Sequence, residues 1–260
     1  LHIDCDAETL SASYPTEVGV VSDARLAISA INRRLFERKI DDLDFEGGSK
    51  ISGVKEAKWA AFSVLANSDA KPIVPERTVR ALQSVVPEDA IIVADPGTPC
   101  PYIAAYFEFS REGRHFISNR AHGALGYSLS AAMGAWFGQP QKKVVAVMGD
   151  GSFGFTCGEL ETVVRYKMPI TFIVISNSVY GWIKAGQKAG FDERYYSVDF
   201  NRTDHAGVAA AFGVKSWRVE DPMKLENVLR EAVEFDGPTL VDVISQPLQE
   251  ANAPVSEWIA

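Results

Sequence analysis

The chain has 260 residues, enough for one large domain or for one domain with part of a second, and ample to bury a core. Apolar residues make up 47% and charged residues 23%, which excludes a wholly disordered chain. The balance of 26 basic against 34 acidic side chains gives a net charge of −8, which argues against nucleic acid or an anionic membrane surface as partner. An anionic ligand would need local help from backbone N–H groups or a metal ion.

The start, Leu1-His2-Ile3-Asp4-Cys5-Asp6, has neither a basic nor an apolar leader segment, and it lacks an initiating Met, so the chain is expected to begin inside a longer polypeptide. These first residues read as one short strand, followed by a loop through Tyr14-Pro15. Ser22-Asp23 can cap a helix running to about Lys39, with Leu26, Ala27, Ala30, Ile31 and Leu35 on one face. The acidic run Asp41-Asp42-Leu43-Asp44-Phe45-Glu46-Gly47-Gly48 reads as a linker, and a second helix is expected over Val54–Asn67. From Pro75 the texture changes. Helical segments alternate with short β-branched runs at Ile91–Val93, Phe116-Ile117, Val144–Met148, Ile170–Ile175, Val214–Trp217 and Leu240–Ile244. That alternation predicts βαβ crossovers, a doubly wound, mostly parallel sheet with helices on both faces, over about 75–245. Its apolar runs are far too short to span a membrane. Residues 246–260 read as a tail. Cys5, Cys100 and Cys157 are far apart and form no CxxC pair, which argues against a disulfide scaffold, zinc ribbon or iron–sulfur cluster and for a reducing, cytoplasmic setting.

Ligands of such sheets sit beyond the carboxyl ends of the strands. After the run Lys143–Met148 comes Gly149-Asp150-Gly151-Ser152-Phe153-Gly154, with two glycines around one carboxylate and a helix expected to begin near Thr156. Asp150 offers a hard oxygen of the kind Mg²⁺ takes together with phosphates, although a polar turn capped by Asp150 reads equally well. No Gly-Lys-Ser/Thr follows, so this is not a Walker loop. The next predicted strand ends in Ser176-Asn177-Ser178-Val179-Tyr180-Gly181, and adjacent parallel strands would bring Asp150 and Asn177 to one sheet edge. A carboxylate, an amide oxygen and a loop carbonyl would form half of an octahedral Mg²⁺ shell.

Here the chain resembles the thiamin diphosphate enzymes, whose GDG turn and asparagine pair, separated by a βα unit, correspond to Gly149-Asp150-Gly151 and Ser176-Asn177. The resemblance implies that Asp150, the Asn177 side chain and the Val179 carbonyl bind Mg²⁺, and that Gly149, Gly151, Ser152 and Tyr180 border the diphosphate. Ser176 departs from the pattern, standing where the first asparagine is usual. A second match, Ala121-His122-Gly123-Ala124-Leu125-Gly126-Tyr127, resembles the acetolactate synthase and benzoylformate decarboxylase segment in which an apolar wedge bends the cofactor. Leu125 would be that wedge, with the Ala124 carbonyl facing the pyrimidine amino group. Gly97 and Thr98, in Asp95-Pro96-Gly97-Thr98, match a place where relatives touch the diphosphate. Leu1–Ile31 looks like the end of the middle domain of acetolactate-synthase-like chains. The implied organisation is therefore a middle-domain remnant over 1–40, a linker with a helix over 41–74, a diphosphate- and Mg²⁺-binding domain over 75–245, and the tail. Nearly the whole chain is covered, although only the 120–181 region is motif-specific.

What the resemblance implies for function follows from what is missing. In the resemblance the glutamate that activates the cofactor belongs to an N-terminal pyrimidine-binding domain, which is expected to lie outside these 260 residues, and Glu159 and Glu161 are not expected to substitute for it. The expected protein is thus the cofactor-binding part or subunit of a 2-oxo acid decarboxylase or carboligase. It would be inactive alone and would complete its site in a homo- or hetero-oligomer. Gly186 falls where acetolactate synthases carry a pocket tryptophan, which points to a different specificity. His122, Trp182 and Ile183 are candidates for the substrate pocket. Flavin (FAD) and coenzyme A sites have no readable signature in these residues. Two other readings stand beside this one: a non-catalytic module that binds the cofactor or steadies a partner, and a Mg²⁺-dependent phosphate-ester enzyme using Asp150.

Overall fold

The computed structural model describes residues 1–38 and 46–247. The expected end of the first helix at Lys39, the acidic run at 41–45 and the tail from 248 onward lie outside the described residues. Contacts divide the chain into two units, Leu1–Glu56 and Ala57–Ala260.

In the first unit, β1 (His2–Asp4) pairs in parallel with β2 (Gly19–Val21), His2 opposite Gly19. The expectation of one strand is corrected to two, because a three-residue partner is too short to show a hydrophobic alternation. Helix α1 (Ala24–Glu37) starts where its cap predicts, with the Asp23 carboxylate accepting the Leu26 N–H at 3.1 Å. Of the apolar face read on α1 only Ala27 is buried, while Leu26 is 60% and Leu35 41% exposed. Helix α2 (Glu46–Ala66) crosses the unit boundary and begins well before the expected Val54. Its glycines misled the reading. Gly48 and Gly53 lie in open space, where they lower helix propensity without stopping the helix.

The second unit is the predicted doubly wound sheet. Helix α3 (Pro75–Val85) leads into β3 (Ile91–Ala94), α4 (Pro99–Tyr106) and the short β4 (Phe116–Ile117). Then follow α5 (Tyr127–Gly138), β5 (Val144–Gly149), α6 (Asp150–Thr156), α7 (Leu160–Arg165) and β6 (Thr171–Ser176). The chain continues through α8 (Gly181–Gly190), α9 (His205–Ala211), β7 (Lys215–Val219), α10 (Pro222–Glu234) and β8 (Thr239–Ile244). Among the described residues the strands lie in the order β4-β3-β5-β6-β8-β7, and every neighbouring pair is parallel. Every residue of β3, β6 and β8 is buried, which is why these strands read as continuous apolar runs.

Side chains alternate between two cores. Ile92, Val145, Ile173 and Val241 meet Leu82, Ile103 and Leu229 from α3, α4 and α10 on one face. Val93, Ala146, Phe172 and Leu240 meet Leu129, Leu160 and Ala209 from α5, α7 and α9 on the other. Each fully buried Val, Leu, Ile or Phe side chain among them contributes about 1.5–3 kcal/mol. The chain leaves β3 outward to β4 and returns across the sheet to β5, so α4 and α5 cover opposite faces. A crevice therefore opens between the carboxyl ends of β3 and β5, the place where such sheets bind ligands. Helix α6 begins at Asp150, immediately after β5, and not near Thr156 as expected. Gly149 leaves the strand with φ −78° and ψ 161°, ordinary extended values, so no loop is needed between strand and helix. No helix among the described residues is long and apolar enough to cross a membrane.

Candidate functional site

Three loops meet in that crevice and line a cavity of about 230 Å³. The loop after β3 contributes Pro96, Gly97 and Thr98. From the end of β5 and the first turn of α6 come Gly149, Asp150, Gly151 and Ser152. The segment after β6 adds Asn177, Val179 and Tyr180, and α8 adds Gly181, Trp182 and Ile183. Leu125, just ahead of α5, closes another side, near Gly97: a Cβ on that glycine would stand 3.6 Å from Leu125 Cδ2. Helices α4, α6 and α8 all present N-terminal turns without a side-chain cap to this edge of the sheet. Their dipoles favour an anion there.

Asp150 is 4% exposed, and burial pushes its carboxyl above the ordinary aspartate range although hydrogen bonds and the nearby His205 pull the other way. Its Oδ2 accepts the N–H groups of Asn177 at 2.8 Å and Ser178 at 2.6 Å, and Oδ1 accepts the Gly151 N–H at 2.9 Å. A carboxylate has about four acceptor sites, so one remains on Oδ1. No lysine or arginine among the described residues pairs with Asp150. Asn177 Oδ1 accepts the Val179 N–H at 3.3 Å and keeps a second lone pair. A buried carboxylate with spare acceptor capacity, beside an amide oxygen and a loop carbonyl, suits a hard divalent cation. Gly149 has open space where a Cβ would stand, leaving room in the cavity wall. At Gly151 a Cβ would run into the Tyr180 ring, so that glycine admits an aromatic side chain of the same wall.

Two expected residues stand apart. His122 and Ala124 are exposed and do not line the cavity, and the Ala124 carbonyl accepts a hydrogen bond from Asn119 Nδ2 at 3.1 Å. Glu159 and Glu161 also lie outside its lining. Ser176 is not in its lining and sits in a buried group with His205 and Asp242.

The structure adds residues that motif reading passed over. Asp95, at the end of β3, is buried and accepts Ser128 Oγ–H at 2.6 Å and the Tyr127 N–H at 3.2 Å, tying the start of α5 to the crevice. Burial raises its pKa against these bonds. Arg120 Nη1 donates to the Pro96 carbonyl at 3.2 Å and holds the first loop. An acidic residue directly after a predicted buried strand was the one available signal for Asp95. Arg120 carried none.

Comparison with known proteins agrees in one direction. The family model described as thiamine pyrophosphate enzyme, C-terminal TPP binding domain, matches residues 95–243. A probable acetolactate synthase large subunit from Methanococcus aeolicus is 29% identical over 258 residues, covering 95% of this chain and 43% of that protein. An acetolactate synthase from Bacillus subtilis is 31% identical, over 94% of this chain and 42% of its own length. A sulfoacetaldehyde acetyltransferase from Roseovarius nubinhibens is 30% identical, over 90% and 41%. The chain thus spans less than half the length of the curated relatives it matches.

Proposed function

The chain belongs to the thiamine pyrophosphate enzymes through their C-terminal TPP-binding domain, and we propose that it is the diphosphate- and Mg²⁺-holding part of a 2-oxo acid decarboxylase or carboligase. The convergence of the β3, β5 and β6 loops on one crevice carries this reading. Asp150, the Asn177 side chain and the Val179 carbonyl would hold Mg²⁺. Gly151 and Ser152 in the first turn of α6, with Gly97 and Thr98 after β3, would bind the diphosphate. Leu125 would give the cofactor apolar support. Trp182 and Ile183 would shape the substrate side, and His122, exposed and outside the cavity lining, has no part in it.

When bound, thiamin diphosphate supplies the electron sink for breaking the bond between the carbonyl carbon and the carboxylate of a 2-oxo acid. This chain binds and orients the group and keeps water from its apolar side. The activating carboxylate and the pyrimidine site come from a further domain or subunit, residues 1–40 are the end of a middle domain, and the working enzyme is an oligomer.

The test is turnover of a panel of 2-oxo acids by the native assembly and by the isolated chain. Consumption by the assembly, absent from the isolated chain and from an Asp150→Ala assembly, is the expected outcome. An assembly that binds thiamin diphosphate yet turns over none of the panel would favour a non-catalytic module.

A further inference from the structure

We infer that Ser176, His205 and Asp242 form a buried positioning relay that fixes the metal-holding turn, taking over the place of the missing first asparagine. The inference rests on the cofactor reading above and concerns residues to which that reading gives no part.

Ser176 ends β6, directly before Asn177. It stands opposite Ile244 of β8, so Asp242, two residues earlier, is its diagonal neighbour on the same face of the sheet. His205, the first residue of α9, reaches both from above. The three are 3%, 5% and 0% exposed in the order Ser176, His205, Asp242. The Ser176 hydroxyl bonds Asp242 Oδ1 and also meets His205 Nδ1 at 2.9 Å. Ser176 gives its one hydroxyl hydrogen to Asp242, so in the contact between Ser176 and His205 the Nδ1–H is the donor. His205 Nδ1 also stands 3.5 Å from Asp242 Oδ1, closing the group of three.

Three observations give the relay its task. The turn it precedes is strained: Ser178 has φ +58°, a left-handed value that costs a serine free energy unless its surroundings hold it. The same turn aims the Asn177 and Ser178 N–H groups at Asp150 Oδ2, so its position sets the orientation of the metal carboxylate. The His205 ring also meets Phe153 of α6 edge to face, centroids 5.5 Å apart. His205 thereby touches both elements that carry metal ligands, α6 with Asp150 and the end of β6 with Asn177. Asp242 Oδ2 has no hydrogen-bond partner among the described residues, and burying an acceptor unmet is a cost that packing alone would not require.

The test measures the Mg²⁺ dissociation constant at saturating thiamin diphosphate in the complete native protein, with unfolding of each cofactor-free variant as control. Ser176→Ala is expected to weaken Mg²⁺ binding about tenfold, the size usual for groups that orient metal ligands. Ser176→Thr, which keeps the hydroxyl, is expected to restore it. His205→Phe keeps the ring against Phe153 but removes Nδ1, and should weaken binding in the same direction; it serves where the alanine variant does not fold. Wild-type affinity in both Ser176→Ala and His205→Phe, with affinity lost in Asp150→Ala, would overturn the relay and leave the metal site standing. Wild-type affinity in Asp150→Ala would overturn the metal site itself.

Discussion

Lys143 lies one residue before β5 and donates from Nζ to the Pro169 carbonyl at 3.0 Å. Burial lowers its pKa from the ordinary 10.5 to about 8, although Asp236 pulls the other way. The folded state therefore holds this proton less tightly than the unfolded chain. Its destabilising effect is complete below pH 8 and is relieved as pH rises through 10.5, so this side chain adds a rise in stability across that window. Lys143→Met should flatten that rise and stabilise the fold near neutral pH by about 1 kcal/mol, the lost bond to Pro169 offsetting part of the gain. Denaturant titrations of both proteins across the window check it. The sequence already placed Asp150 and Asn177 at one sheet edge, because polar residues directly after consecutive buried strands leave a local pattern, and both line the crevice. It was silent on His205 and Asp242, which are 29 and 66 positions from Ser176. A single buried polar side chain leaves no periodic trace, and its partners emerge only when the sheet closes.

The start of α5 shows how one element can position another. Gly126 precedes it with φ +85°, and a Cβ there would stand 3.0 Å from Thr156 Cγ2 and 3.1 Å from Phe155 Cβ, near the end of α6. Gly126→Ala therefore meets strain and overlap together and should cost at least about 1 kcal/mol. Because Leu125 is the next residue back, the same change should weaken thiamin diphosphate binding. A lowered unfolding midpoint with unchanged cofactor affinity would separate the fold from the cavity. Strands of the sheet were the most legible elements, since two-sided burial makes them unbroken apolar runs. Helices were less so. Two were expected to begin at Val54 and near Thr156, yet α2 and α6 start earlier and run through glycines at 48, 53, 151 and 154, which lower helix propensity without stopping a helix. The apolar stripe of α1 correctly indicated a helix but not its burial, because periodicity reports a face and not what covers it.

For the molecule as a whole, the alternation of helix and strand implied a sheet with a binding edge, and the reversal between β3 and β5 put the cavity there. The strand order itself could not be read, because pairing between distant strands is set by packing and not by local pattern. That order is what brings Gly97, Asp150 and Asn177 into one crevice from separate loops. The proposed function requires this crevice to hold thiamin diphosphate through a cation on Asp150. Calorimetric titration of the native protein with thiamin diphosphate, with and without Mg²⁺, beside the Asp150→Ala variant, decides it. Saturable binding that requires Mg²⁺ and disappears in the variant is expected. Binding that ignores Mg²⁺, or that survives in Asp150→Ala, would contradict it.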